Sequence, residues 1–186
     1  MQLKQNFKEM SNLEIASFIC QELLDIGVKT TLSGGFCVEI YSFGEYTSMD
    51  IDLIDQSVFK HREIKKKMFE LGFSEEGKHF RHPDMQYTVE FPASPLAIGQ
   101  ELVKEISEIE TEYGVLRLIT STDSAKDRLA AYYFWDDERS LEQAILVALK
   151  NDIDFENVRL WSEREGEIEK FEYFLSQYKS RVEIAD

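Results

Sequence analysis

The chain is short of several things, and each shortage narrows what it can be. Three prolines and nine glycines among 186 residues leave no room for a collagenous or linker-like segment, and no internal repeat or low-complexity tract is visible. With 43% hydrophobic and 12% aromatic residues, the composition is that of an ordinary globular chain, long enough for one compact domain or a domain with a small appendage. Cysteine is scarce too. Cys20 and Cys37 have no CxxC spacing, which excludes a disulfide framework, and Cys20 falls on the apolar side of a helical pattern, as a buried thiol does. No run approaches transmembrane length, and MQLKQNFKEMSNLE has no apolar core of signal type, so a cytoplasmic protein without membrane attachment is expected. Positive charge is the largest deficit: 21 basic against 36 acidic residues give a net charge of −15. The basic footprint of a nucleic-acid binder is missing, and stable binding to bulk DNA or RNA is not expected. Lys65-Lys66-Lys67 falls at helical spacing and reads as a solvated face. A small anionic ligand held through metal ions, or a cationic substrate, stays compatible with this charge.

Along the chain, Ser11 followed by Glu14 predicts a capping box. Behind it Leu13, Ile15, Phe18, Ile19, Leu23 and Ile26 form one apolar face of a helix that Gly27 closes. Val28 to Ser33 reads as a strand ending at Gly34-Gly35, Phe36 to Phe43 as one or two helical turns, and Met49 to Asp55 as a second strand. A basic amphipathic helix fits Val58 to Leu71. Short strands follow around turns at Glu76-Gly77 and Pro83-Asp84, the last carrying QYTVEF, and Ile106 to Glu110 pairs with Val115 to Ile119 as a hairpin. From Thr122 onward the periodicity is helical throughout. The expected fold is therefore α/β, a mixed sheet with flanking helices followed by a C-terminal helical segment. Its expected division is residues 1–121 as the α/β domain and 122–186 as a helical subdomain packed on it.

One stretch asks for more than folding. Asp50 and Asp52 lie two apart on a strand, so they share a face while Met49, Ile51 and Leu53 take the other. Two ionised carboxylates at that spacing repel, and no neighbour in sequence neutralises them. Acids on an edge strand of an acidic protein would look the same. Divalent cations would relieve the repulsion: Mg²⁺ or Mn²⁺ accepts hard carboxylate oxygens together with substrate phosphates, and paired metals assist displacement at phosphorus. In the strand Tyr87 to Phe91, Thr88 and Glu90 again form a polar face, which offers a third carboxylate as base or metal ligand. Ser33-Gly34-Gly35 at a strand end would let backbone approach a phosphate closely. His79-x-x-His82 sits in a turn-rich segment without a third partner at ligand spacing and reads as a pair of surface histidines. Tyr132 to Trp135 reads as core and interface, and Asp136-Asp137-Glu138 as a helix boundary.

Ser33-Gly34-Gly35, a short helix, then Ser48-x-Asp50-Ile51-Asp52-Leu53, with Glu90 on a later strand, resembles the DNA polymerase β-type nucleotidyltransferase superfamily. The nearest flavour is the stand-alone bacterial group that includes abortive-infection and toxin–antitoxin nucleotidyltransferases. The resemblance covers roughly Val28 to Phe91 and implies a nucleotidyltransferase-like sheet, with Asp50, Asp52 and Glu90 as catalytic and metal-binding residues. It implies Ser33, Gly34, Gly35 and Ser48 as nucleotide-binding residues. The segment Thr122-Asp123-x-x-Lys126-Asp127-Arg128 resembles a helix in toxin-like members whose lysine reaches the nucleotide phosphates, which makes Lys126, and next to it Arg128, the candidates for that role.

The implied activity is metal-dependent transfer of an NMP group from an NTP, ATP being favoured, to an acceptor hydroxyl. A protein or cationic small-molecule acceptor suits the acidic chain better than tRNA, and a protein partner such as a cognate antitoxin belongs to the same expectation. One departure supports an alternative. Many relatives carry an arginine between the glycines and the aspartates, whereas Phe36 to Met49 contains neither lysine nor arginine. That pattern also fits a catalytically degenerate binding or regulatory module.

Overall fold

Seven strands form one mixed sheet in the order β3-β4-β5-β2-β1-β9-β8, and this order sets the chemistry of its central row. The computed structural model describes residues 6–56 and 60–185. Residues 1–5, and Val58 at the expected start of the basic helix, lie outside the described residues. The chain divides into two compact units. One holds the chain up to Phe36 with Ser48–Leu96 and Ile106–Leu118, and the other holds Cys37–Thr47, Ala97–Glu105 and the chain from Ile119 onward.

In the first unit, helix α1 (Asn12–Asp25) starts at the expected capping box. The Glu14 N–H donates to Ser11 Oγ at 3.3 Å, and the Ser11 N–H donates to the Glu14 carboxylate at 2.7 Å, so two otherwise orphaned donors are satisfied. Strand β1 (Thr30–Ser33) is buried along its whole length. Helix α2 (Gly35–Tyr41) follows after the single residue Gly34, with Gly35 and Phe36 in this unit and the rest, from Cys37, in the other. Strand β2 (Asp50–Asp55) alternates half-buried acids with buried Ile51 and Leu53. Met49 precedes the strand and is 60% exposed, so it does not join the core face the alternation predicted, although its carbonyl accepts a hydrogen bond from the Thr88 N–H.

Helix α3 (His61–Glu70) buries Ile64 and Met68; Lys65 pairs with Glu75 and the exposed Lys66 with Glu70, while Lys67, against the expected solvated face, has its side chain only 11% exposed and pairs with Glu22. Those pairings neutralise the one basic run. The short strands β3 (Ser74–Glu76), β4 (His79–Arg81) and β5 (Thr88–Glu90) extend the sheet on one side. On the other side stand β9 (Gly114–Ile119) and β8 (Ile106–Thr111), the expected hairpin, with each strand one residue longer at the turn than the sequence pattern suggests. Cys20 is buried and accepts a hydrogen bond from the Thr30 hydroxyl at 3.4 Å, and burial pushes its thiol up to about 11.

The second unit carries the small hairpin β6 (Ala97–Ile98) and β7 (Glu101–Leu102). Its helices are α4 (Ser121–Trp135), α5 (Glu138–Lys150), α6 (Phe155–Glu165) and α7 (Ile168–Ala185). Trp161 is fully buried, stacks on Tyr133 and donates its indole N–H to the Ile98 carbonyl, which ties hairpin to helices. The aromatic run at the end of α4 splits: Tyr132 and Tyr133 are core, while Phe134 and Trp135 are largely exposed. Asp137 caps α5, as a helix boundary there requires. Among the described residues no helix is long and apolar enough to cross a membrane.

Candidate active site

The acids of β2 are not on an edge. β2 is the fourth strand of seven, antiparallel to β1 and parallel to β5. The register places Ser33 of β1 beside Asp52, Asp52 beside Glu90 of β5, and Glu90 beside His79 of β4. Neighbours in register share a face and lie about 4.8 Å apart, so one row of four polar side chains crosses four strands. Asp50 stands two residues earlier along β2, on the same face, with Thr88 as its neighbour in register. The three carboxylates picked from the sequence therefore converge in the first unit.

Each acid is held differently. The Asp50 carboxylate accepts a short hydrogen bond from the Thr88 hydroxyl. Ser48 fixes the backbone below it, donating from Oγ to the Asp50 carbonyl at 3.0 Å and accepting from the Asp50 N–H at 3.3 Å. Asp52 points at Gly34. That glycine has φ +72°, and a Cβ built on it would collide with Asp52 Oδ2. Backbone conformation and close approach thus both demand glycine between β1 and α2. Glu90 is 8% exposed; one carboxylate oxygen lies 2.9 Å from Lys78 Nζ and the other 2.6 Å from His79 Nδ1.

Two of these partners are absent from the sequence-level expectation. His79 and His82 do not form the pair of surface histidines that spacing predicts. His82 packs edge-on against Phe7 and lies over Phe73, with Nδ1 accepting from the Asp84 N–H. His79 joins the carboxylates, and donor atoms of Asp50, His79 and Glu90 all lie within 4.8 Å of one another. Lys78 stands at the rim, with its side chain 75% exposed. Its ammonium is held charged above the usual lysine range, first by its hydrogen bond to Glu90, then by that carboxylate's charge and those of Asp52 and Asp50. No local pattern announces Lys78 or His79, because their place depends on the pairing of β4 with β5.

Lys126 and Arg128 belong to the second unit. Lys126 is 2% exposed, with Nζ 2.9 Å from a Glu101 oxygen and 3.4 Å from an Asp123 oxygen. Burial lifts the Asp123 carboxyl above its ordinary value against the pull of Lys126. Burial pushes Glu101 the same way, but Lys126, Arg164 and Lys104 together bring it below. A cavity of about 360 Å³ opens beside this cluster, lined by Lys104, Thr122, Asp123, Lys126, Asn157 and Arg164 among others. Arg128 donates to Asp127 and Gln143. A larger cavity of about 490 Å³ in the first unit, between Phe7, Met10, Pro83 and Met85, contains none of the carboxylate row.

No protein-family model matches the chain, and no curated protein does so. Among solved structures, the solution structure of the antibiotic-resistance factor ANT(2'')-Ia is similar over 93% of this chain and 93% of its own, at 16% identity and a TM-score of 0.47. The crystal structure of ANT(2")-Ia in complex with adenylyl-2"-tobramycin is similar over 88% of this chain and 94% of its own, at 18% identity and a TM-score of 0.44.

Proposed function

We propose that the protein is a cytoplasmic, metal-dependent nucleotidyltransferase that moves an NMP group from an NTP, ATP foremost, to an acceptor hydroxyl. The observation that supports this most is the convergence of Asp50, Asp52 and Glu90 on one face of the central strands, with Gly34 bare against Asp52. Like charges gathered at the middle of a sheet raise the energy of the fold unless a cation joins them.

The residues present fit a divalent ion. Donor atoms of Asp50, His79 and Glu90 lie within 4.8 Å of one another, and Asp52 stands beside Glu90 in register. A bound divalent cation, Mg²⁺ or Mn²⁺, would supply charge neutralisation and activation of the attacking oxygen. Asp50, Asp52 and Glu90 would hold it, with Thr88 and Ser48 fixing Asp50 in place. In this scheme Glu90 takes the proton of the acceptor hydroxyl. The hydroxyl oxygen bonds the α-phosphorus as the bond to pyrophosphate breaks, and pyrophosphate leaves with the electron pair. The turn Ser33–Gly35 binds the nucleotide phosphates, where a side chain at position 34 would stand in the way. Lys126 and Arg128 are the proposed phosphate-binding cations. Both are already held by carboxylates, so phosphate binding by either exchanges one anionic partner for another.

A net charge of −15 favours a protein side chain or a cationic small molecule as acceptor over tRNA, and a protein partner such as a cognate antitoxin fits the same surface. A second reading has an observation of its own. Lys78 already gives Glu90 a cationic partner, and no lysine or arginine lies between Phe36 and Met49, which suits a degenerate nucleotide-binding module. The two readings separate with α-phosphate-labelled ATP and divalent metal: label transferred to protein or to a cationic acceptor, and lost in Asp52→Asn, supports the transferase. Full transfer in Asp52→Asn removes it.

A further inference from the structure

His79 is the one member of the row that chain-local patterns assign to the surface, and the structure gives it a nitrogen donor's position among carboxylates. β4 runs antiparallel to β5 and sets His79 beside Glu90, with Nδ1 2.6 Å from a Glu90 oxygen. That nitrogen is buried, yet it makes no aligned hydrogen bond. Its neighbour in place of water is the Glu90 carboxylate, at ion-pair distance. A metal ion shared with the neighbouring carboxylates would use it.

We infer that Asp50, His79 and Glu90 form a mixed nitrogen–oxygen site that takes a first-row divalent transition ion, with Mn²⁺ the simplest probe, in preference to Mg²⁺. The inference rests on the proposed metal-dependent reading of the same carboxylates. Donors around one ion at about 2.1 Å are at most about 4.2 Å apart. The three donor atoms here lie within 4.8 Å, so a side-chain adjustment of well under one rotamer change closes the set. Oxygen-only sets suit Mg²⁺, which demands near-ideal octahedral geometry, whereas an imidazole nitrogen favours first-row transition ions, whose affinity rises from Mn²⁺ onward.

The surroundings agree with such a site. The Thr88 hydroxyl orients Asp50 from outside the donor set, the kind of support that fixes metal-binding carboxylates. Lys78 engages the other oxygen of Glu90, and with a side chain 75% exposed its ammonium can move into solvent when a metal ion arrives. The rival explanation is a plain His79–Glu90 ion pair with no metal role.

The test is made on the full chain. Mn²⁺ bound to the wild type is examined by electron spin-echo envelope modulation, which reads nitrogen in the coordination sphere directly. Mn²⁺ and Mg²⁺ affinities are then measured by titration calorimetry for wild type and His79→Gln. Nitrogen modulation is expected in the wild type and absent in His79→Gln. Mn²⁺ affinity is expected to fall about tenfold or more in the variant, while Mg²⁺ affinity stays within about twofold. An oxygen-only spectrum in the wild type, or equal loss of both ions in a folded His79→Gln, overturns the inference. The wild-type spectrum needs no variant, so a misfolding substitution leaves the question decidable. Nitrogen coupling in a protein that transfers no nucleotide upholds this inference and removes the proposed function; transfer with oxygen-only coordination does the reverse.

Discussion

Each unit of the protein holds a cluster of ionisable side chains away from bulk water, and the two are balanced in opposite ways. Around Lys126 the charges cancel internally: a lysine with 2% exposure sits between Glu101 and Asp123, and Arg164 also reaches Glu101. The carboxylate row is built differently. Three carboxylates converge on the central strands, and the lysine that pairs with Glu90, Lys78, is at the exposed rim. A balanced cluster stabilises what is already there, because removing one member strands its partner. An unbalanced cluster stores repulsion that an incoming cation can relieve. By this difference the carboxylate row is the cluster to which the proposed function assigns a cation.

Removing charge therefore has opposite consequences in the two places. Lys126→Met strands Asp123 and half of Glu101, and is expected to cost about 3–5 kcal/mol of stability, read by urea denaturation. A loss below about 1 kcal/mol would show that the second cluster is not balanced by its lysine. On the row, Asp52→Asn is expected to lower NMP transfer about 10²–10³-fold while the metal-free protein stays as stable as wild type.

Gly34→Ala is a smaller perturbation of the same row. The left-handed backbone alone costs an alanine about 1–2 kcal/mol, and the new Cβ must push the Asp52 carboxylate aside. A thermal scan should show the destabilisation, and metal titration a weakened site. Smallest is a pH effect in the balanced cluster. Burial raises the Asp123 carboxyl, so the folded chain keeps that proton where the unfolded chain has lost it. Its contribution to stability is present below the ordinary carboxylate range and is lost as pH rises through the raised folded value. Asp123→Asn should flatten that part of the stability–pH curve, and an unchanged slope would assign it elsewhere.

What could be read in the sequence follows from how local each signal is. The α1 capping box, the alternation at Asp50 to Leu53 and the glycines after Ser33 are written within a few residues, and the structure carries all three. The polar face of Thr88 and Glu90 was equally visible, but its register against Asp50 and Asp52 was not, because parallel pairing joins segments nearly forty residues apart. His79 shows the limit most clearly. Its i, i+3 spacing to His82 suggests a pair, but the backbone leaves the β4 ladder after Arg81. His82 then turns to Phe7 and Phe73 while His79 turns to Glu90. Met49 departs from the alternation as well: it stands just before the first registered pair, Asp50 with Thr88, and its side chain is exposed.

The most direct test of the central claim is thermal unfolding of wild type beside Asp50→Asn/Asp52→Asn. Each protein is scanned alone, with Mn²⁺ or Mg²⁺, and with metal plus ATP. Without metal the double variant should unfold at the same temperature as wild type or higher, because a like-charge pair has been relieved. Metal and nucleotide together should then raise the midpoint of wild type alone, through binding to the folded state. A wild type that does not respond to metal, or a double variant that responds equally, would contradict the assignment of the carboxylate row as a cation site.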